Sequence, residues 1–120
     1  MKLNLNNREI KFFQGLIDIT IIEIKSSDSI YKNIIFLDYD MNYKKTYKIY
    51  ENAFVFSIQY PNGENAEYAY GKNMNIDDFE FDYTISTNKG SSGSPIILYT
   101  KNMNLIQVIG IHKLANYAKQ

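Results

Sequence analysis

Glycine, serine and proline crowd one stretch of this chain, Lys89-Gly90-Ser91-Ser92-Gly93-Ser94-Pro95, and the apolar run Ile96-Ile97-Leu98-Tyr99 follows at once. Such residues make a tight, exposed loop that turns directly into a strand. Glycine has no Cβ to forbid a sharp bend, so backbone N–H groups there can be aimed at one spot. A hydroxyl held at that bend can act as a nucleophile, with the neighbouring N–H groups as an oxyanion hole. The same residues can equally form a plain polar hairpin loop.

The remaining composition narrows the choices. At 120 residues with 45% hydrophobic side chains, the chain suits one ordinary domain with a real core. Thirteen basic and thirteen acidic residues balance, so neither nucleic acid nor an anionic membrane is an expected partner. The absence of cysteine excludes a disulfide framework and a cysteine metal site. One histidine excludes a multi-histidine metal site, and no metal or other cofactor is expected. Met1-Lys2-Leu3-Asn4 opens no apolar signal region, and no run is long enough to span a bilayer. An intracellular location is the expectation.

Periodicity points to strands throughout. Arg8 to Phe13 reads as a short strand, and the isoleucine-rich stretch Leu16 to Lys25 as the first strong one, with Asp18 an acid among isoleucines. Tyr31 to Leu37 reads as a short strand or extended segment, and Asp38 to Asn52 as a long surface connection. Ala53 to Tyr60 alternates, with Phe54, Phe56 and Ile58 on one face and Val55 and Ser57 on the other. Pro61-Asn62-Gly63 marks a turn, and Ala66 to Gly71 returns as the partner strand. Gly71 suggests a bulge or a close backbone approach. Asn73 to Asp78 reads as a polar turn, Phe79 to Ile85 as a strand, Pro95 to Tyr99 and Leu105 to Ile111 as two more with a turn at Thr100 to Asn104. Lys113 to Gln120 reads as a tail. Nothing demands a helix, and short strands between turn signals predict an antiparallel sandwich or barrel. Asp77-Asp78 with Glu80 and Lys44-Lys45 read as solvated surface charges.

Three separated stretches together resemble one family. Gly90-Ser91-Ser92-Gly93-Ser94-Pro95 is similar to the nucleophile motif of chymotrypsin-like serine peptidases, with Ser92 at the nucleophile position. Asp18-Ile19-Thr20-Ile21-Ile22-Glu23-Ile24 resembles the segment carrying the family's triad aspartate. Val108-Ile109-Gly110-Ile111-His112 resembles the strand lining the specificity pocket. Phe56 to Gly63 further resembles a hairpin of the bacterial-type branch. The match runs from about residue 16 to residue 113. It implies an all-β, antiparallel Greek-key barrel fold: residues 1–37 a remnant of the first barrel and start of a linker, 38–52 a connection, 53–120 the second barrel. It implies hydrolysis of peptide bonds, with oxyanion donors at the backbone of Gly90 and Ser92. Glutamyl endopeptidases are the branch most similar, which implies a preference for cleaving after Glu or Asp. Substrate-binding positions would then be Ser86, Thr87 and His112, since a hydroxyl and an imidazole both donate to a carboxylate.

The mechanism of that family needs a histidine to take the serine proton and an aspartate to orient it. The family's triad histidine lies upstream of Asp18, where this chain has none. His112 falls on the pocket strand. The resemblance therefore implies either part of a longer serine endopeptidase, inactive as this chain alone, or a pseudo-peptidase that binds a peptide or protein. An isolated partial barrel would leave sheet edges unpaired and marginal stability.

Overall fold

The computed structural model describes residues 3–15, 17–41, 47–77, 80–100 and 105–113. Leu16, the Lys44-Lys45 pair, Asp78, Phe79, residues 101–104 of the expected last turn and residues 114–120 of the expected tail lie outside the described residues. The chain divides into two compact units, residues 1–36 and 37–120.

In the first unit, β1 (Ile10–Phe13) pairs antiparallel with β2 (Ile19–Ile22), Phe12 opposite Thr20. Both strands are shorter than the sequence predicts, because the chain reverses through Gly15 and Asp18 in left-handed conformation, φ +78° and +49°. Asp is among the few residues that take this conformation readily. Arg8 ties the hairpin to the following loop: its Nη1 and Nη2 donate to the Asp28 carboxylate at 2.7 Å each, and its Nε to the Asn4 carbonyl at 2.9 Å. The bidentate guanidinium holds the Asp28 carboxyl down to about 2, helped by the Lys25 backbone N–H. The strand expected at Tyr31 to Leu37 begins instead as a 3-10 turn, Tyr31–Asn33. Successive i to i+3 bonds from Asp28, Tyr31 and Asn33 carry the polar Ser26–Ser29 turn onward.

The second unit is one six-stranded sheet in the order β3-β8-β7-β4-β5-β6. Its strands are β3 (Asp38–Tyr39), β4 (Phe54–Gln59), β5 (Glu67–Ile76), β6 (Phe81–Tyr83), β7 (Pro95–Thr100) and β8 (Leu105–Ile111). All neighbours are antiparallel except β3 and β8, which run parallel. Among the described residues the chain is thus all-β, with only short 3-10 turns as helix. Among the described residues the sheet is open, with β3 and β6 at its edges.

The alternation of β4 sets the core. Val55, Ser57 and Gln59 face inward, and the bulkier Phe54, Phe56 and Ile58 face the other way: Val55 is 1% exposed, Phe54 61%. Val55 packs with Tyr50, Ile85, Ile96, Leu98 and Ile109, and Phe81 and Tyr83 close the side. Each buried aliphatic side chain contributes about 1.5–3 kcal/mol. On the opposite face the Phe56 and Tyr70 rings meet at 6.0 Å, and Lys72 Nζ lies 4.9 Å over the Phe54 ring.

Three sequence expectations change here. The stretch 38–52 is not a pure surface connection: Asp38 and Tyr39 pair with Gln107 and Val108, and Tyr50 enters the core, its hydroxyl 2.5 Å from Asp40 Oδ2. Asn73 to Asp78 is not a plain turn, because β5 continues to Ile76. Asn73 is buried and pairs with Ala53 and Asn52 through its backbone, while its Nδ2 donates to the Tyr50 carbonyl at 3.2 Å. A polar side chain with its donors used this way is a ladder residue. Of the strand expected over Phe79 to Ile85, the described residues form it at Phe81–Tyr83, paired with β5 across a register shift between Asn73 and Ile76.

Candidate functional site

Backbone bonds to both sides shape the loop at 89–95. The Asn62 N–H donates to the Lys89 carbonyl at 2.6 Å, which joins the loop to the Pro61–Gly63 turn. Gly90 sits against that turn. Its φ is +93°, and a Cβ there would stand 3.0 Å from Asn62 N and Tyr60 O, so both conformation and space call for glycine. Ser91 is fully buried, donates its N–H to the Asn88 carbonyl at 3.0 Å and accepts the Asn88 N–H on Oγ at 3.3 Å. Gly93, at φ +86°, donates to the His112 carbonyl, and His112 donates to the Ser94 carbonyl, both at 2.8 Å. Ser57 Oγ donates to the Pro95 carbonyl at 2.8 Å.

That network turns Ser91 inward and leaves Ser92 exposed, its Oγ donating to the Lys113 carbonyl at 3.3 Å. Among the described residues, nothing accepts a hydrogen bond from the N–H of Gly90 or of Ser92. Gly90 and Ser92 are both exposed, so these two N–H groups face solvent on the same loop as the Ser92 hydroxyl.

His112 follows β8 and is 5% exposed. Its Nδ1 pairs with the Tyr83 hydroxyl, and the rings meet edge-on at 6.0 Å and 64°. Burial pushes the His112 imidazole below its ordinary value and the Tyr83 phenol up to about 12. At neutral pH the two are an uncharged pair. The backbone of His112 is bonded to Gly93 and Ser94, so the end of β8 and the 89–95 loop are held together.

Ser86 and Thr87 lead into this loop. Ser86 is exposed, and Gln59 Nε2 fixes its carbonyl at 2.9 Å. Thr87 is half-buried. Asp18 belongs to the first unit, exposed in its left-handed turn immediately before β2. The structure thus brings the loop of Gly90 and Ser92 against His112, with Ser86 and Thr87 preceding the loop in the chain, all within the second unit.

Sequence reasoning missed Tyr83, Gln59, Ser57 and Ser91. Ser57 and Gln59 did carry a signal, as polar residues on the non-aromatic face of an alternating strand. Tyr83 carried none, since it looks like any other strand aromatic. No protein-family model, curated protein or solved structure matches this chain.

Proposed function

We propose that residues 37–113 carry the nucleophile and specificity side of a serine endopeptidase of chymotrypsin-like type, with Ser92 as nucleophile and the N–H groups of Gly90 and Ser92 as oxyanion donors. The observation that carries this reading is the exposed Ser92 hydroxyl on a loop whose Gly90 and Ser92 N–H groups have no acceptor among the described residues and which is bonded to the backbone of the sole histidine. In this reading the open sheet is the larger part of the second Greek-key barrel, and Asp18 is the residue to which the family resemblance gives the orienting role. His112, the sole histidine, pairs with Tyr83 through Nδ1 and in this reading lines the pocket, so these 120 residues supply no histidine general base. Without it Ser92 is a weak nucleophile, and these residues alone have negligible activity. His112 and Thr87 hold a substrate side chain that ends in an oxygen acceptor.

Fluorophosphonate labelling of the natural polypeptide, read by peptide mass spectrometry, tests this. Ser92 is expected to take the label, and a Ser92→Ala variant none. An unlabelled Ser92 in folded protein refutes the catalytic reading.

The same commitment of His112 favours one second reading, a pseudo-peptidase that binds an extended peptide along a sheet edge. It predicts peptide binding undiminished by Ser92→Ala. A folded protein that binds no peptide excludes it.

A further inference from the structure

An antiparallel sheet with one face in water ordinarily turns apolar side chains inward and polar ones outward. In the second unit the outward face is the more apolar one. β4 buries Ser57 and Gln59 beside Val55 and sends Phe54, Phe56 and Ile58 to the other side. Their partners on β5 are Lys72, Tyr70 and Tyr68. On β7, Tyr99 follows the Val55–Leu98 pair, and Ile106 of β8 lies opposite it. Phe54, Tyr68, Tyr70, Tyr99 and Ile106 are each between 53% and 73% exposed. They span the four adjacent strands β5-β4-β7-β8, so they make one patch and not scattered surface residues. The charge on this patch is Lys72, whose Nζ lies over the Phe54 ring.

We propose that the aromatic face of β5-β4-β7-β8 is the contact surface of a homodimer, in which a second copy of the chain lays the same face against it. The inference does not rest on the serine-site reading. Area supports it. An aromatic side chain presents about 150–250 Å², so at these exposures the four aromatics and Ile106 offer roughly 600 Å² per copy. A pair then removes roughly 1,200 Å² from water, the lower bound for a specific, stable interface. Composition agrees, because interface cores are rich in tyrosine and phenylalanine and poor in charge. Nucleic acid or an anionic membrane would need several cations, and the patch offers Lys72. A second copy needs none. Its sheet has the same hand of twist, so two such faces can stack as the layers of a sandwich. The contact is isologous, with each copy giving and receiving the same residues.

Sedimentation velocity of the full 120-residue chain, from about 1 to about 200 µM, reads the association. The expected result is a monomer–dimer equilibrium with a dissociation constant of about 10 µM, as suits an interface at the small end of the specific class. Tyr70→Ser and Phe54→Ser are each expected to weaken it about tenfold, as truncation of a central aromatic does. Ile49→Ser removes an exposed side chain from the Tyr47–Tyr50 turn, off the sheet, and is expected to leave it unchanged. Both face variants remove exposed side chains and should keep the parent circular dichroism spectrum. Photocrosslinking covers a variant that fails to fold: p-benzoylphenylalanine in place of Tyr70 is expected to join two chains, at a residue of β4, β5, β7 or β8. A chain still monomeric at the highest concentration, a dimer weakened equally by Ile49→Ser and Tyr70→Ser, or a crosslink confined to one chain overturns the inference. A monomer that co-sediments with phosphatidylcholine vesicles or with a soluble β-glucan overturns it in favour of that occupant.

Discussion

Gly71→Ala tests the packing beneath the site, because two physical effects disagree about its sign. Gly71 lies within β5 without a positive φ, where alanine loses less chain entropy and should stabilise by about 0.5–1 kcal/mol. The structure opposes this. A Cβ at Gly71 would stand 2.6 Å from Ile85 N and 2.8 Å from the carbonyl carbon of Thr84. Both are backbone atoms and cannot swing away. Ordinary contact begins at 3.4 Å, so the 84–85 backbone must retreat by 3.4 − 2.6 = 0.8 Å. That retreat strains the bond from Thr84 N–H to the Lys72 carbonyl at 3.0 Å and the bond from Lys72 N–H to Thr84 Oγ1 at 2.9 Å. Overpacking costs about 1–3 kcal/mol and each lost bond about 1 kcal/mol. Against the entropy gain, the net is a destabilisation of about 2–4 kcal/mol. For a unit of this size that lowers Tm by roughly 10–25 °C. Urea denaturation and thermal melts followed by circular dichroism measure it. Gly63→Ala is the control: Gly63 has φ +73° but no atom within 4 Å of its Cβ position, so conformational strain alone should cost about 1 kcal/mol. A Gly71→Ala protein as stable as the parent, or less perturbed than Gly63→Ala, refutes the reasoning.

Two adjacent serines should separate structure from chemistry: Ser91→Ala is expected to cost about 1 kcal/mol in urea denaturation, through loss of the buried acceptor for Asn88 N–H, and Ser92→Ala less than about 0.5 kcal/mol. Because the folded His112 value lies below its ordinary one, the unfolded chain binds the proton first. Stability should therefore fall as pH drops through and below about 6.5, and His112→Gln should flatten that slope in a pH series of denaturation curves. Asp28 gives a second window: its stabilising effect is complete above about 3.9 and is lost as pH falls to about 2, an acid step that Asp28→Asn removes from the amide NMR signals of residues 3–36.

The loop from Gly90 to Pro95, the Pro61–Gly63 turn and the two faces of β4 were legible in the sequence, because each rests on a local restriction. Positive φ at Gly90 and Gly93, a fixed φ at a proline and the two-residue period of a strand belong to the residues themselves. The close approach at Gly71 was legible for the same reason, since a glycine inside a strand leaves room that something must use.

What no local rule contains is the partner across space. Alternation separates Val55 from Phe54 but does not say which face the core takes. That was decided by Ile85, Ile96 and Leu98 on one side and by the bonds of Ser57 and Gln59 to the Pro95 and Ser86 carbonyls. Asn73 has the composition of a turn and became a ladder residue because Ala53 and Tyr50 arrived beside it. At the site, sequence by itself determined a sharp loop bearing Ser92 and a single histidine following a strand. Only the tertiary structure placed Tyr83, from the edge strand, against Nδ1 of that histidine. The physical reason is that this contact needs a neighbour brought up from 29 residues away by sheet pairing, and pairing is a property of the whole fold.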